Sequence, residues 1–285
     1  MESQKLTVRD IQEMRDKNQV ITMLTAYDYP VAKQINDTGI DMILVGDSAA
    51  MVVHGFPNTL NATMDMMVMH CAAVARACSR TMVIADMPFG SFQYGIEETM
   101  RNAARFVTEA RVDGVKFEAT PNHIEKTKAI VQMGIAVMGH VGLHPQAVGA
   151  LGGLKAQGRT IETARKVMTE ALALQDAGAF GIIFEAVPAK LAEYVTKKLR
   201  VPTISIGGGP GCSGQLLVTY DVLGMFDTFT PKFAKKYANF NQTMKDTFAQ
   251  YRQEVLDRKF PSSEHVYGVS DEVMDAIEKE FGKAE

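Results

Sequence analysis

Five short apolar runs in this chain each end in a group that can carry charge or hold a metal. Met42–Val45 leads into Gly46, Asp47 and Ser48, and Met82–Ala85 leads into Asp86. Gly114 and Val115 lead into Lys116, Phe117 and Glu118; Ala136–Gly139 leads into His140; Gly181–Phe184 leads into Glu185. A buried parallel strand stays apolar until it leaves the core, so polar groups at the exits of consecutive strands point to one shared mouth. Asp47 and Asp86 offer hard oxygen atoms. These suit a divalent cation such as Mg²⁺, which keeps several waters and takes one or two carboxylates. Gly46 admits close backbone approach to a ligand, and Ser48 adds a hydroxyl. Aspartates after strands are also common helix N-caps, and spacing alone leaves both roles open for Asp47 and Asp86.

Lys116 and Glu118 alternate along their strand and share one face. They suit a cation and an acid at the mouth, or a structural ion pair. His140 can orient a substrate or donate a proton, or serve as a hydrogen-bonded core histidine. Glu185 follows Ile182, Ile183 and Phe184, and an acid in that apolar setting has a raised pKa that suits a general base. Its alternative is a buried structural carboxylate. Gly207–Gly208–Gly209–Pro210–Gly211 resembles a phosphate loop in position. Gly152–Gly153 with Gln157–Gly158–Arg159 forms a candidate lid or a plain surface turn. A metal, a cation, a carboxylate and a histidine together suit deprotonation beside a carbonyl. The metal holds the oxygen where negative charge develops, and the carboxylate takes the proton.

The elements that position these groups follow from periodicity. Thr7 can cap a leading helix through Arg9–Lys17. The pattern predicts strands at 20–24, 42–45, 82–85, 115–117, 136–139, 181–184, 202–206 and 216–220. Helices are predicted between them, at 29–38, from Thr63 to about Cys78, and at 96–112, 123–133, 160–177 and 189–199. Further helix is predicted from Pro231 to Arg258, with a polar tail from Lys259. Strand–helix alternation with short connections implies a right-handed parallel βα architecture. Eight units fit an α/β fold, a closed (βα)₈ TIM barrel with an extra N-terminal helix and C-terminal helices, in a single domain over residues 1–285. A doubly wound open sheet would need a glycine fingerprint after the first strand, and Thr25–Pro30 carries none.

Composition narrows the partners. The chain has 285 residues and a formal net charge of -3, which is poor in the basic stripe that nucleic acid requires. No apolar run approaches the length of about 18 residues of a membrane span, and the charged segment Glu2–Arg9 is no secretory signal. Three cysteines, Cys71, Cys78 and Cys212, form no framework and fit a reducing cytosol, so a cytoplasmic location is expected. The 18 methionines read as flexible core filler.

Motifs in order and spacing resemble the ketopantoate hydroxymethyltransferase family. They are MLTAYDYP at 23–30, VGDSAAMVVHG at 45–55, ADMPFGSF at 85–92, VKFE at 115–118, MGHVGLHPQ at 138–146, LGGLKAQGR at 151–159 and PTISIGGGPGCSGQ at 202–215. The resemblance runs from about Ile21 to His265. It implies a barrel enzyme of pantothenate and coenzyme A biosynthesis. Such an enzyme moves a hydroxymethyl group from 5,10-methylenetetrahydrofolate to 3-methyl-2-oxobutanoate through a Mg²⁺-stabilised enolate, giving ketopantoate. On this resemblance Asp47 and Asp86 match metal ligands, and Glu118 matches an acid that reaches the metal through water. Ser48, Lys116, Tyr27 and His140 match contacts to the 2-oxo acid, which Asp47 and Asp86 also meet through the metal. Glu185 matches the base. Self-association, as a homodecamer, is implied too. The chain departs from the family pattern at Ala49–Ala50, where leucine–glycine is usual, and at Phe92, where tyrosine is common. It departs again at Ser205 and Gly208. Two readings compete: a phosphoenolpyruvate mutase- or isocitrate lyase-like 2-oxo acid enzyme, whose catalytic cysteine motif is missing here, and a non-catalytic 2-oxo acid-binding barrel.

Overall fold

The computed structural model describes residues 4–118, 120–147, 149, 153 and 155–284. Thr7 opens the first helix with a capping box: its hydroxyl accepts from the Asp10 N–H, and the Asp10 carboxylate accepts from the Thr7 N–H. This helix, α1 (Val8–Asp16), buries Ile11 completely.

Eight parallel strands follow: β1 (Ile21–Thr25), β2 (Met42–Val45), β3 (Met82–Asp86), β4 (Gly114–Lys116), β5 (Ala136–Gly142), β6 (Gly181–Glu185), β7 (Thr203–Ile206) and β8 (Gly214–Leu217). They pair in chain order, and β8 pairs with β1 to close the barrel. The longer helices between them are α2 (Tyr29–Asp37), α4 (Met64–Ala77), α5 (Ile96–Thr108), α6 (Ile124–Gln132), α7 (Ile161–Asp176) and α8 (Ala189–Lys198); α3 (Ala49–Val52) and α9 (Thr219–Val222) are single turns. Asp28, Thr63 and Thr160 cap α2, α4 and α7 with side-chain oxygens, which satisfies backbone N–H groups that each helix start leaves free.

Pleating divides the core in two. Ile43, Val45, Val83, Ala85, Val115 and Ile182 face the helices with Phe106, Ile130, Leu174 and Val195. Met42, Leu44, Met82, Ile84, Met138, Ile183, Ile204 and Leu216 fill the barrel interior, and Ile11 joins them. The leading helix therefore plugs the barrel rather than decorating it.

Several boundaries differ from the sequence expectation: β5 runs on to Gly142 rather than stopping at Gly139, and α5 stops at Thr108 rather than at 112. The eighth strand ends at Leu217 rather than Tyr220, because residues from Thr219 turn into α9. Its start at Gly214 is set by β1: a Cβ there would lie 2.4 Å from the Ile21 carbonyl oxygen. Residues 231–239 are not helical; helix begins only where the Asn239 side chain accepts from the Gln242 N–H.

The chain divides into two compact units, one up to Tyr237 and one from Ala238. The second holds α10 (Phe240–Leu256) and α11 (Asp271–Phe281), neither with a buried residue. The polar-tail expectation missed α11. Ser270 precedes it, Asp271 and Glu272 occupy its first turn, and Val273, Met274, Ile277 and Phe281 recur at helical spacing. Among the described residues, no helix is long and apolar enough to cross a membrane. Cys71, Cys78 and Cys212 are free and buried.

Ile11→Ala should cost about 2–5 kcal/mol in urea unfolding, because it opens a cavity under the barrel. Ile161→Ala, at a side chain 81% exposed, should stay within about 0.5 kcal/mol.

Candidate active site

The inward positions run Met82, Ile84, Asp86 along β3 and Gly114, Lys116 along β4, with Glu118 two residues further on. They run Met138, His140 along β5 and Ile183, Glu185 along β6. The lower apolar rungs belong to the interior cluster. The upper rungs line a pocket of about 170 Å³ at the C-terminal mouth, together with Asp47, Ser48 and Thr25. Asp47, Ser48, Asp86, Lys116, Glu118, His140 and Glu185 thus meet in one place. Tyr27 is not on the pocket wall. It stands one hydrogen bond back, its hydroxyl 2.8 Å from the Ser48 hydroxyl.

Asp86 and Lys116 are register partners, and Lys116 Nζ lies 3.0 Å from each Asp86 oxygen. The ion pair available to Lys116 is therefore made with Asp86 across the strands. Asp86 also accepts from the Asp47 N–H at 3.2 Å. Neither aspartate caps a helix through its side chain; the residue before α3 is Ser48. Burial pushes the Asp86 carboxyl up to about 7, with Asp47 adding and Lys116 opposing. Burial also acts against the Lys116 charge, but Asp86, Glu118 and Asp47 outweigh it and hold the ammonium protonated above its ordinary range. Burial raises Glu118 well above the usual carboxylate range, opposed by Lys116 and reinforced by Asp47, Asp86 and Glu185.

Glu185 sits at the exit of β6, opposite Gly142. Gly142 has φ +100°, and a Cβ there would lie 2.3 Å from the Glu185 carbonyl oxygen, so a side chain would push β5 and β6 apart at the site. Burial pushes the Glu185 carboxyl up to about 8, against the pull of Lys116. His140 Nε2 stands 3.4 Å from Glu185 Oε2. Neither ring nitrogen of His140 makes a hydrogen bond, which separates it from an ordinary satisfied core histidine. Burial keeps its imidazole neutral, and Lys116 and His144 push the same way. The His144 ring meets it edge-on at 5.3 Å.

Gln146 was missed at the sequence level. Its amide nitrogen donates to Asp47 Oδ2 at 2.8 Å and to the Met87 carbonyl at 3.0 Å, and its backbone N–H donates to Glu118 Oε2 at 3.1 Å. It ties two carboxylates together from the loop after β5. The signal was a buried-strand exit followed by a second cluster of polar residues, His144-Pro145-Gln146.

Among the described residues, no group of three or more His, Cys, Asp or Glu side chains forms a metal cage. Mg²⁺ does not need one. Asp47 and Asp86 would supply oxygen ligands only, Asp86 Oδ1 meets the Lys116 ammonium at 3.0 Å, and Gln146 Oε1 accepts no hydrogen bond. That donor chemistry fits a hard divalent cation.

A closed parallel barrel with buried acids, a lysine and a histidine at its C-terminal mouth defines a (βα)₈-barrel enzyme acting on a small molecule. Its profile match is to ketopantoate hydroxymethyltransferase, over residues 5–263. The 3-methyl-2-oxobutanoate hydroxymethyltransferase of Acetivibrio thermocellus is 47% identical over 275 residues, covering 96% of this chain and 97% of that one. That of Enterococcus faecalis is 46% identical over 273 residues, covering 96% and 99%. The chain belongs to the ketopantoate hydroxymethyltransferase family. Among solved structures, phosphonopyruvate hydrolase in complex with oxalate and Mg²⁺ superposes with TM-score 0.59 at 15% identity, covering 98% of this chain and 100% of that one. 2,3-Dimethylmalate lyase superposes with TM-score 0.58 at 15% identity, covering 96% and 99%. At that identity the likeness is one of fold.

Lys116→Met should destabilise the protein by about 3–5 kcal/mol in urea unfolding, since it strands a buried carboxylate. Adding Asp86→Asn should recover much of the loss; a double variant as unstable as the sum of both changes would show that the pair does not act as a unit.

Proposed function

We propose that the chain catalyses hydroxymethyl transfer from 5,10-methylenetetrahydrofolate to 3-methyl-2-oxobutanoate, forming ketopantoate. The observation that carries the reading is Glu185: a carboxyl raised to about 8 lines the same small pocket as Asp47, Asp86 and Lys116, in a chain of this family. Glu185 removes the proton from C3 of the 2-oxo acid. The electron pair left at C3 forms the new carbon–carbon bond to the one-carbon unit. One water supplies the hydroxyl oxygen as tetrahydrofolate departs, which balances the atoms.

Asp47 and Asp86 would hold Mg²⁺, with Glu118 as the third carboxylate. When bound, the cation supplies positive charge to the oxygens of the 2-oxo acid, lowering the cost of removing a proton beside its carbonyl. Lys116 keeps its proton and faces the same oxygens as a fixed cation. Ser48, steadied by Tyr27, offers a hydroxyl donor. Burial leaves the neutral His140 a weak base beside Glu185, so the abstracted proton stays on the carboxylate. Gln146 holds Asp47 and Glu118 in place. The apolar lining from Leu44, Ile183, Ile206 and Leu216 excludes water and accepts the isopropyl group.

The test is deuterium incorporation at C3 of 3-methyl-2-oxobutanoate in D₂O, without folate. Exchange should require Mg²⁺ and stop with chelator. Glu185→Gln should lower it by about 10²–10⁴-fold while 2-oxo acid binding persists. Glu185 must be ionised to accept the proton, so exchange should rise with pH. The apparent pKa should lie above the ordinary 4.5 and no higher than about 8, since a bound cation lowers it. Exchange independent of metal, or a Glu185→Gln variant of unchanged rate, would overturn the reading.

A further inference from the structure

The polar groups of the inner pocket are unevenly distributed. From Asp47 after β2 round to Glu185 on β6, each strand exit carries one. Beyond Glu185 the wall turns apolar, with Ile206, Leu216, Val218 and Phe226, and among the described residues it holds one ionisable side chain, Asp221. Asp221 lines this inner pocket and not the wider cleft of about 980 Å³ that shares Glu185 with it. Proton abstraction at C3 gives Asp221 no task.

The fold holds Asp221 in this place. Thr219, at the start of α9, donates its hydroxyl to the Thr25 carbonyl and its N–H to the Thr25 hydroxyl, the latter at 3.0 Å. Tyr220 packs edge-on against Tyr27, with ring centroids 5.6 Å apart. The turn is thereby pinned to the exit of β1. An acid in the first turn of a helix commonly serves the N–H groups there, but α9 has no side-chain cap hydrogen bond. Asp221 is only 5% exposed, and among the described residues its carboxylate has no hydrogen-bond or ion-pair partner. Burial pushes the carboxyl above its ordinary range, opposed by the charge of Lys236. Buried polar groups are almost always paired, so an unpaired carboxylate on a pocket wall finds its partner in what the pocket holds.

The 2-oxo acid offers Asp221 no such partner. Its carboxylate and keto oxygens belong with Asp47, Asp86 and Lys116, and its isopropyl end is apolar. The reaction brings one polar group to that end: the hydroxyl on the transferred carbon, whose oxygen comes from water. We propose that Asp221 is a second acid–base residue, acting on that water. The inference rests on the hydroxymethyltransferase reading. The carboxylate takes the two protons of the water one after the other, as the oxygen bonds to the methylene carbon and the two carbon–nitrogen bonds of the donor break in turn. Each proton passes to the folate nitrogen that leaves, which yields tetrahydrofolate and formaldehyde. The electron pair at C3 bonds to the formaldehyde carbon, and the proton held by Glu185 ends on the new hydroxyl. Asp221 and Glu185 thus both return to their starting forms.

The experiment compares the full chain loaded with Mg²⁺ with its Asp221→Asn and Asp221→Leu variants. It measures C3 exchange without folate, ketopantoate formation from 5,10-methylenetetrahydrofolate, and calorimetric binding of ketopantoate and of 3-methyl-2-oxobutanoate without folate. Both variants should keep the wild-type rate of C3 exchange, which shows a folded protein with its metal and Glu185 in order. Ketopantoate formation should fall by about 10²–10⁴-fold in Asp221→Asn. Asp221→Leu should weaken ketopantoate by about 10–100-fold, because the carboxylate accepts from its hydroxyl, and should not weaken 3-methyl-2-oxobutanoate. Wild-type ketopantoate formation in Asp221→Asn overturns the assignment. So does exchange that falls in step with transfer in both variants, which makes Asp221 structural, and so does an unchanged ratio of the two affinities in Asp221→Leu. A wild-type protein that neither exchanges the C3 proton nor forms ketopantoate overturns the hydroxymethyltransferase reading, and this step with it.

Discussion

The register of a closed, pleated barrel is the constraint on which everything else depends. Side chains along a strand alternate between two faces, so a slip of one residue turns every inward group outward. Asp86, His140 and Glu185 each follow an apolar inward rung, Ile84, Met138 or Ile183, by two residues, and Lys116 follows Gly114 in the same way on β4. A slip in any one strand would turn its polar side chain toward Phe106, Ile130 or Leu174 and bring an outward residue such as Ala85, Val115 or Phe184 into the mouth. The cost of burying an unpaired charge and the loss of apolar packing thus oppose the same error. Close backbone contacts add to this: Gly142 against Glu185 and Gly214 against Ile21 leave room for only one alignment.

Given that register, the chemistry follows from crowding. Asp47, Asp86, Glu118 and Glu185 share the mouth with a single lysine, and water is largely excluded. Burial favours the neutral form of Asp86, Glu118 and Glu185, and neighbouring carboxylates add to the effect. Lys116 offsets part of it at Asp86, which it touches. The outcome is a division among chemically similar groups. Asp86 is held by a cation and a backbone N–H, Glu118 by the Gln146 N–H, and Glu185 has His140 near it and no hydrogen bond from the ammonium. Among the described residues Glu185 is the acid of this group whose charge no hydrogen bond fixes, which leaves it free to exchange a proton.

Much of this was legible in the sequence because strand exits announce themselves. Apolar runs ending in Asp47, Asp86, Lys116, His140 and Glu185 located the mouth, and seven of the eight strands began within one residue of the expected place. The helix caps at Thr7, Thr63 and Thr160 were readable for the same reason: each is a polar side chain before an amphipathic run. Three things were not. Gln146 acts through a loop whose course only the fold defines, and an uncharged amide carries no sign of its role. Residues 231–239 contain alternating aromatic and lysine residues that look helical, but Phe233 is held against Gly207, a contact between positions far apart in sequence. The Asp86–Lys116 pair crosses from β3 to β4, so the local Lys116/Glu118 spacing, which left an ion pair between those two open, could not reveal it.

The two cavities at Glu185 suggest why a glycine-rich loop after β7 need not be a phosphate site. A phosphate loop presents backbone N–H groups at a helix start, whereas here the Gly208 N–H is already taken by the Ser205 hydroxyl at 2.9 Å. The positive φ values of Gly207 and Gly209 instead bring the loop against Phe233 and Ala189, where any side chain would collide. The small pocket and a wider cleft of about 980 Å³ share Glu185 as a wall and make opposite demands on it: one must be dry enough to raise the pKa of a carboxyl, the other is broad and open. Glu185 meets both because its side chain is only 17% exposed while its neighbours Ala186–Ala189 turn outward to form the cleft. Gly142 is what permits this arrangement, by letting β5 approach the backbone of β6 at the residue where the two cavities meet.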